Sequence, residues 1–116
     1  MGYSVLSQES RYKAYLLESY NRHCYDHESG FIHYSIRNNY CIIHNIYVDP
    51  EKRQQKVATE MADEVVKLAQ KEGVDKLLCE IDKRSNTFNS AVASVLGYGF
   101  NLIDEGPYYL TFHKDL

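Results

Sequence analysis

The sequence contains no tryptophan, two prolines and three cysteines among its 116 residues. Cys24, Cys41 and Cys79 are odd in number and show no C-x-x-C spacing. A disulfide scaffold is therefore disfavoured, and three reduced thiols in a cytoplasmic protein are expected. No apolar run approaches the roughly 18 residues of a membrane-crossing helix, so no membrane partner is expected. Residues 1–6 lack a basic segment ahead of an apolar core, and a secretory signal is not expected either. The formal net charge is -3, with no block of Lys or Arg. A duplex-binding protein usually carries a basic stripe, so nucleic acid is not an expected partner. There is no internal repeat, low-complexity stretch or linker. One domain over residues 1–116 follows.

What is present fits a folded domain. Hydrophobic residues make up 44% and charged residues 25% of the chain, the balance of a globular protein rather than a disordered one. Eleven tyrosines are unusual. Each combines an apolar body with a polar tip, which suits half-buried packing and cleft walls.

Tyr12, Leu16, Tyr20 and Cys24 recur every four residues and predict a helix over residues 7–24, with Ser7 and Glu9 in its first turn. Phe31 to Arg37 and Cys41 to Val48 read as two strands joined at Asn38-Asn39, a pair that tolerates positive φ. Val57, Met61, Val65, Leu68 and Ala69 mark a second helix that Gly73 ends. Lys76 to Asp82 reads as a buried strand. A third helix spans residues 86–96, with Ser85 as cap and Phe88, Val92, Val95 and Leu96 inward. Residues 101–105 and 108–113 close the chain as an antiparallel pair. Strand, helix and strand over residues 41–82 form a βαβ unit with a parallel pair and right-handed crossover. An α/β fold with a mixed sheet follows.

The most informative stretch runs from Ile46 to Thr59. A strand and short polar turn lead into an amphipathic helix, whose free N–H groups and positive dipole end favour an anion. Arg53 and Lys56 add two cations there. A pyrophosphate would be favoured, although a solvated basic turn has the same sequence appearance.

These residues resemble the GNAT family of N-acetyltransferases. Its signature is I/V-x-V-x-P, then R/Q-x-x-G-x-G/A opening a long helix, and later a Gly-Phe pair. The sequence supplies Ile46-Tyr47-Val48-Asp49-Pro50, then Arg53-Gln54-Gln55-Lys56-Val57-Ala58, and Gly99-Phe100. The likeness extends over roughly residues 31–116 and implies a GNAT-like mixed sheet with helices on both faces. It further implies an acetyl-CoA donor whose pantetheine arm pairs with the backbone of Ile46, Tyr47 and Val48. Amides from Arg53 through Gln54, Gln55, Lys56, Val57 and Ala58 to Thr59 would cradle the pyrophosphate, and Asn86 would touch the cofactor. The end of the first helix, near Tyr25, would border the acceptor cleft.

Two positions depart from the pattern. Lys56 replaces the first motif glycine, and a helical φ there would keep its N–H available. Val95 falls near the tyrosine that many relatives use as general acid.

An alkyl amine has a pKa of about 10.4 and needs a base before it attacks a thioester. Glu80 matches the base of some relatives; the alternative is that it pairs with a nearby cation or faces solvent. The thiol leaving group, of pKa about 8.5, depends little on an acid; Tyr108, Tyr109 or water could supply the proton. A regular hairpin would set His33 opposite His44, either as a proton relay or as a half-exposed polar pair. His33 and Tyr108 join Tyr25 as candidate acceptor contacts. His23 and His27, at i,i+4 on the predicted helix, lack a third ligand on that face, so no metal site is assigned.

The expected function is acetyl transfer to a primary amine, on a small molecule or on a protein lysine or N-terminus. A homodimer completing the acceptor site is one arrangement the short N-terminal region allows. The competing reading is a catalytically silent GNAT module that binds acetyl-CoA or a protein partner.

Overall fold

The computed structural model describes residues 8–116. In chain order the elements are α1 (Gln8–Tyr20), β1 (His23–His27), β2 (Gly30–Arg37), β3 (Tyr40–Val48), a 3-10 turn (Pro50–Lys52), α2 (Val57–Lys71), β4 (Lys76–Asp82), α3 (Phe88–Tyr98), β5 (Asn101–Glu105) and β6 (Tyr109–Asp115). The strands form one mixed sheet in the order β1-β2-β3-β4-β6-β5. β3 and β4 are parallel and joined through α2, while the other neighbours are antiparallel. The α/β architecture and the central βαβ unit read from the sequence are present.

Three expectations need correction. The first helix stops at Tyr20, because Asn21 turns left-handed with φ 54. Its N–H reaches the Leu17 carbonyl at 3.1 Å, and that of Arg22 reaches Leu16 at 3.1 Å. Cys24 therefore lies on β1, and His23 and His27 belong to a strand instead of a helix. The proposed first-turn role of Ser7 lies outside the described residues. The third helix begins at Phe88, two residues later than read, which leaves Asn86 in the preceding turn. Leu96, expected inward, is 51% exposed.

Strand alternation separates two faces. On one, Ile32, Tyr34, Cys41, Ile43, Leu77, Cys79, Ile81 and Phe112 are buried beneath α2 and α3. α2 contributes Val57, Met61, Ala62, Val65 and Ala69. Full burial of a side chain such as Met61 stabilises by about 1.5–3 kcal/mol, so this stripe is what seats the helix. The Tyr98 hydroxyl of α3 donates to Asp63 of α2 at 2.7 Å and joins the two helices. α1 covers the opposite face, where Tyr12 packs on His33 with ring centroids 6.0 Å apart. Lys13 pairs with Asp26 of β1 at 2.6 Å on that side.

Candidate active site

The parallel ladder between β3 and β4 is short. It runs from Tyr40 opposite Lys76 to Ile43 opposite Cys79 and then ends. Each strand nevertheless continues with its outer neighbour, β3 to Val48 opposite Gly30 and β4 to Asp82 opposite Tyr109. The two strands thus separate in a V, and its edges carry unpaired backbone groups that call for a partner. His44 and Glu80 are the first residues beyond the last rung. They follow Ile42 and Leu78, which share a rung and a sheet face.

The V opens into a cavity of about 670 Å³, within the range of about 300–1,000 Å³ usual for small-molecule sites. β3 supplies its wall from Ile43 to Val48, β4 from Cys79 to Asp82, and β6 contributes Tyr109. The site sits beyond the carboxyl ends of the parallel strands, where α/β proteins commonly bind ligands.

Arg53 and Ala58 close the cavity on the α2 side. Arg53 Nε donates to the Val48 carbonyl at 3.0 Å, and its guanidinium lies 5.6 Å from the Tyr47 ring centroid. The loop from Arg53 to α2 holds two left-handed residues, Gln54 with φ 63 and Lys56 with φ 64. Lys56 is the N-cap of α2, so the helical φ expected of it is not adopted. The motif glycine is explained by this backbone, because a side chain in the left-handed region costs roughly 1–2 kcal/mol and glycine avoids the cost. Glu60 is the first residue of α2 to bond backward, to the Lys56 carbonyl at 3.0 Å. Among the described residues, the N–H groups from Gln54 to Thr59 have no backbone acceptor. They form a donor array at a positive helix end.

The α3 side presents hydroxyls. Ser85, Thr87, Ser90 and Ser94 line the wall together with Ala91 and Val95. Sequence reading missed this row, although Thr87, Ser90 and Ser94 fall three and four residues apart on one helix face.

The structure brings Glu80, His44 and Tyr109 to one cavity with Ile46, Tyr47, Val48, Arg53 and Ala58. Gln54, Gln55, Lys56, Val57 and Thr59 flank it without forming its wall. Asn86 is exposed in the turn before α3 and does not line it either. Tyr25 packs on the core face of β1 opposite Ile32. Tyr108 lies under the Arg84 guanidinium, 4.5 Å from its ring centroid. His33 belongs to a smaller pocket with Tyr12, Asp26 and Phe31.

The hairpin register also differs from the sequence reading. Arg37 pairs with Tyr40 as expected, but a bulge sets His33 opposite Asn45 and leaves His44 as the extra residue. The His33 ring packs on Phe31 and Tyr12. His44 Nε2 instead lies 2.8 Å from Ser35 Oγ.

Electrostatics differ from wall to wall. Burial first, then Arg22, Arg37 and His33, lowers the pKa of His44. The Arg84 side chain, hydrogen-bonded at 3.0 and 3.1 Å, holds Asp82 below the usual carboxylate range. Burial pushes the Cys79 thiol up to about 11. Among the described residues no group of three metal-ligating side chains occurs, and no helix is long and apolar enough to cross a membrane.

The site is thus a splayed parallel pair beside a helix N-terminus in an α/β fold. Residues 7–98 match the Acetyltransferase (GNAT) family. The chain belongs to this acetyltransferase family, whose members take their acyl group from acetyl-CoA. Solved structures share the fold. PaiA N-acetyltransferase from Thermoplasma acidophilum, in complex with coenzyme A, aligns over 98% of this chain and 83% of its own, with 16% identity and a TM-score of 0.72. Ard1 from Thermoplasma volcanium aligns over 76% and 63%, with 19% identity and a TM-score of 0.66. IAA acetyltransferase from Bacillus cereus aligns over 76% and 70%, with 18% identity and a TM-score of 0.62. No match was found among curated protein sequences.

Proposed function

We propose that the protein is an acetyl-CoA-dependent N-acetyltransferase acting on a primary amine by direct attack on the thioester. One observation carries this reading. The β3–β4 ladder ends at Ile43 and Cys79, and the V beyond it lies against Arg53 and the start of α2. An extended pantetheine arm suits the free edge of β3, since an added strand satisfies its unpaired groups. The donor array from Gln54 to Thr59 suits the diphosphate, with Arg53 adding charge.

Glu80, at the opening of the V, accepts a proton from the incoming ammonium and leaves a neutral amine. The amine nitrogen attacks the carbonyl carbon, and the π pair moves to oxygen. Collapse restores the carbonyl and breaks the C–S bond, whose electron pair leaves with sulfur. The nitrogen gives up its second proton and the thiolate gains one, so that a neutral amide and a free thiol result. The Tyr109 hydroxyl is the proton donor closest to this role, because Tyr109 lines the cavity and Tyr108 does not. Cys79 is an unsuitable acyl carrier: with its thiol raised to about 11, little thiolate exists at neutral pH. Direct transfer therefore fits better than an acyl-cysteine route.

Thermal melting with acetyl-CoA, followed by a thiol-release assay, tests the proposal. The amine panel comprises lysine peptides, free protein N-termini, polyamines and aminoglycosides. A raised Tm and amine-dependent thiol release are expected. Stabilisation without release from any amine would indicate the silent binding module.

A further inference from the structure

His44 has no pairing partner in β2, because it is the additional residue of the β3 bulge. A bulge re-aims its side chain, and bulges are common beside active sites. Here His44 lines the cavity read as the acetyl-CoA site, and its Nε2 turns back to Ser35 Oγ, 2.8 Å away. Ser35 stands opposite Ile42, two residues before His44, so the contact is a diagonal one across the hairpin.

Ser35 is 2% exposed. Among the described residues, its hydroxyl has one hydrogen-bond partner, His44 Nε2. A buried hydroxyl places its single proton on an acceptor within reach. Donation to Nε2 requires a lone pair there, which puts the ring proton of the neutral imidazole on Nδ1. The surroundings favour the neutral ring. Burial lowers its proton affinity, and Arg22 from the turn before β1 and His33 and Arg37 from β2 act in the same direction. Tyr47 of β3, Cys79, Glu80 and Asp82 of β4, Tyr109 of β6 and Arg53 complete the charged or titratable groups around the cavity. Among the described residues, Nδ1 has no hydrogen-bond partner.

We propose that Ser35 locks His44 in its Nδ1–H tautomer, making the imidazole a hydrogen-bond donor to the thioester carbonyl instead of a base for the amine. This rests on the acetyl-CoA reading of the cavity. As the amine adds and the carbonyl oxygen gains the π pair, Nδ1–H donates to that oxygen and keeps its proton throughout. Glu80 on the facing wall removes the ammonium proton, so base and donor act from opposite sides of the V. A fixed donor aimed at developing charge is worth more than one that must reorient. Ser35 touches no substrate and is a positioning residue.

Long-range ¹H–¹⁵N spectra of ¹⁵N-histidine-labelled protein at pH 7.5 read the tautomer, with His44→Gln assigning the signal. The wild type is expected to show Nδ1–H and a bare Nε2, and the Nδ1–H signal to move when acetyl-CoA is added. Ser35→Ala is expected to release the ring to the Nε2–H form and lower kcat about tenfold, with KM for acetyl-CoA unchanged. Ser35→Thr, which keeps the hydroxyl, restores both. Should Ser35→Ala not fold, the wild-type and Ser35→Thr spectra decide. An Nε2–H or imidazolium His44 in the wild type overturns the lock. An Nδ1–H signal that ignores acetyl-CoA, while calorimetry records binding, overturns the donor role. No binding heat at all overturns the transferase reading and the donor role with it, whatever the tautomer.

Discussion

A Cβ on Gly30 would collide with the carbonyl oxygen of Tyr47, so β2 and β3 approach there as only glycine allows. Tyr47 belongs to the wall of the V, so this approach fixes one edge of the coenzyme site. Gly30→Ala must displace backbone and is expected to cost about 1–3 kcal/mol, in the range of other overpacking changes. Thermal melting and acetyl-CoA titration of the variant check this. Both Tm and affinity should fall; unchanged affinity would mean that the β3 edge does not hold the pantetheine arm.

Lys56 holds a left-handed backbone at the N-cap of α2. Lys56→Gly relieves strain of roughly 1–2 kcal/mol but adds unfolded-chain entropy of about 0.4–1 kcal/mol. The expected Tm is unchanged or raised by a few degrees, and acetyl-CoA should bind a few-fold more tightly as the backbone opens to phosphate. Lys56→Val, β-branched at positive φ, is expected to lower both. Weaker binding by the glycine variant would assign the lysine side chain a direct role on phosphate.

Much of the fold was legible because its periodicities are clean. The apolar spacing of α2, the run in β4 and the Asn38-Asn39 turn each match an element or a turn in the structure. The tail of α1 was misread because the four-residue spacing continues through Cys24, although Asn21 ends the helix left-handed. The bulge at His44 has no sequence signal, since strand alternation alone implies an unbroken ladder. Its consequence, the exchange of a His33 partner for Ser35, was therefore invisible. The helical φ assumed at Lys56 failed for a related reason. A lysine says nothing of a left-handed cap, whereas a glycine there would have pointed to one.

Tyr98 and Asp63 tie α3 to α2 through a 2.7 Å hydrogen bond. Tyr98→Phe is expected to cost about 1 kcal/mol. Asp63→Ala should cost a similar amount, and the double variant clearly less than the sum. Urea unfolding of the four proteins measures the coupling, and strict additivity would show that the contact contributes nothing.

His33 and His44 both lie below the ordinary imidazole range, each chiefly through burial. Their folded forms resist protonation, so near pH 6 the unfolded chain binds more protons. Stability is thus complete above the unfolded pKa of about 6.5 and declines as the pH falls through it towards the lower folded values. Asp82 and Glu105, held below the carboxylate range by Arg84 and Lys83, act only at lower pH. Urea midpoints at pH 7.5 and 5.5 should show the decline, and a His33→Gln/His44→Gln double variant should show less of it. An equal decline in both proteins would remove these rings as its cause.

Isothermal titration of acetyl-CoA and of free CoA into the wild type and Arg53→Glu bears most directly on the site. Saturable binding of both ligands by the wild type is predicted, with affinity at least tenfold lower once the charge is reversed beside the diphosphate. Absence of binding heat from either ligand, with Arg53→Glu indistinguishable from wild type, would contradict a coenzyme site in the V.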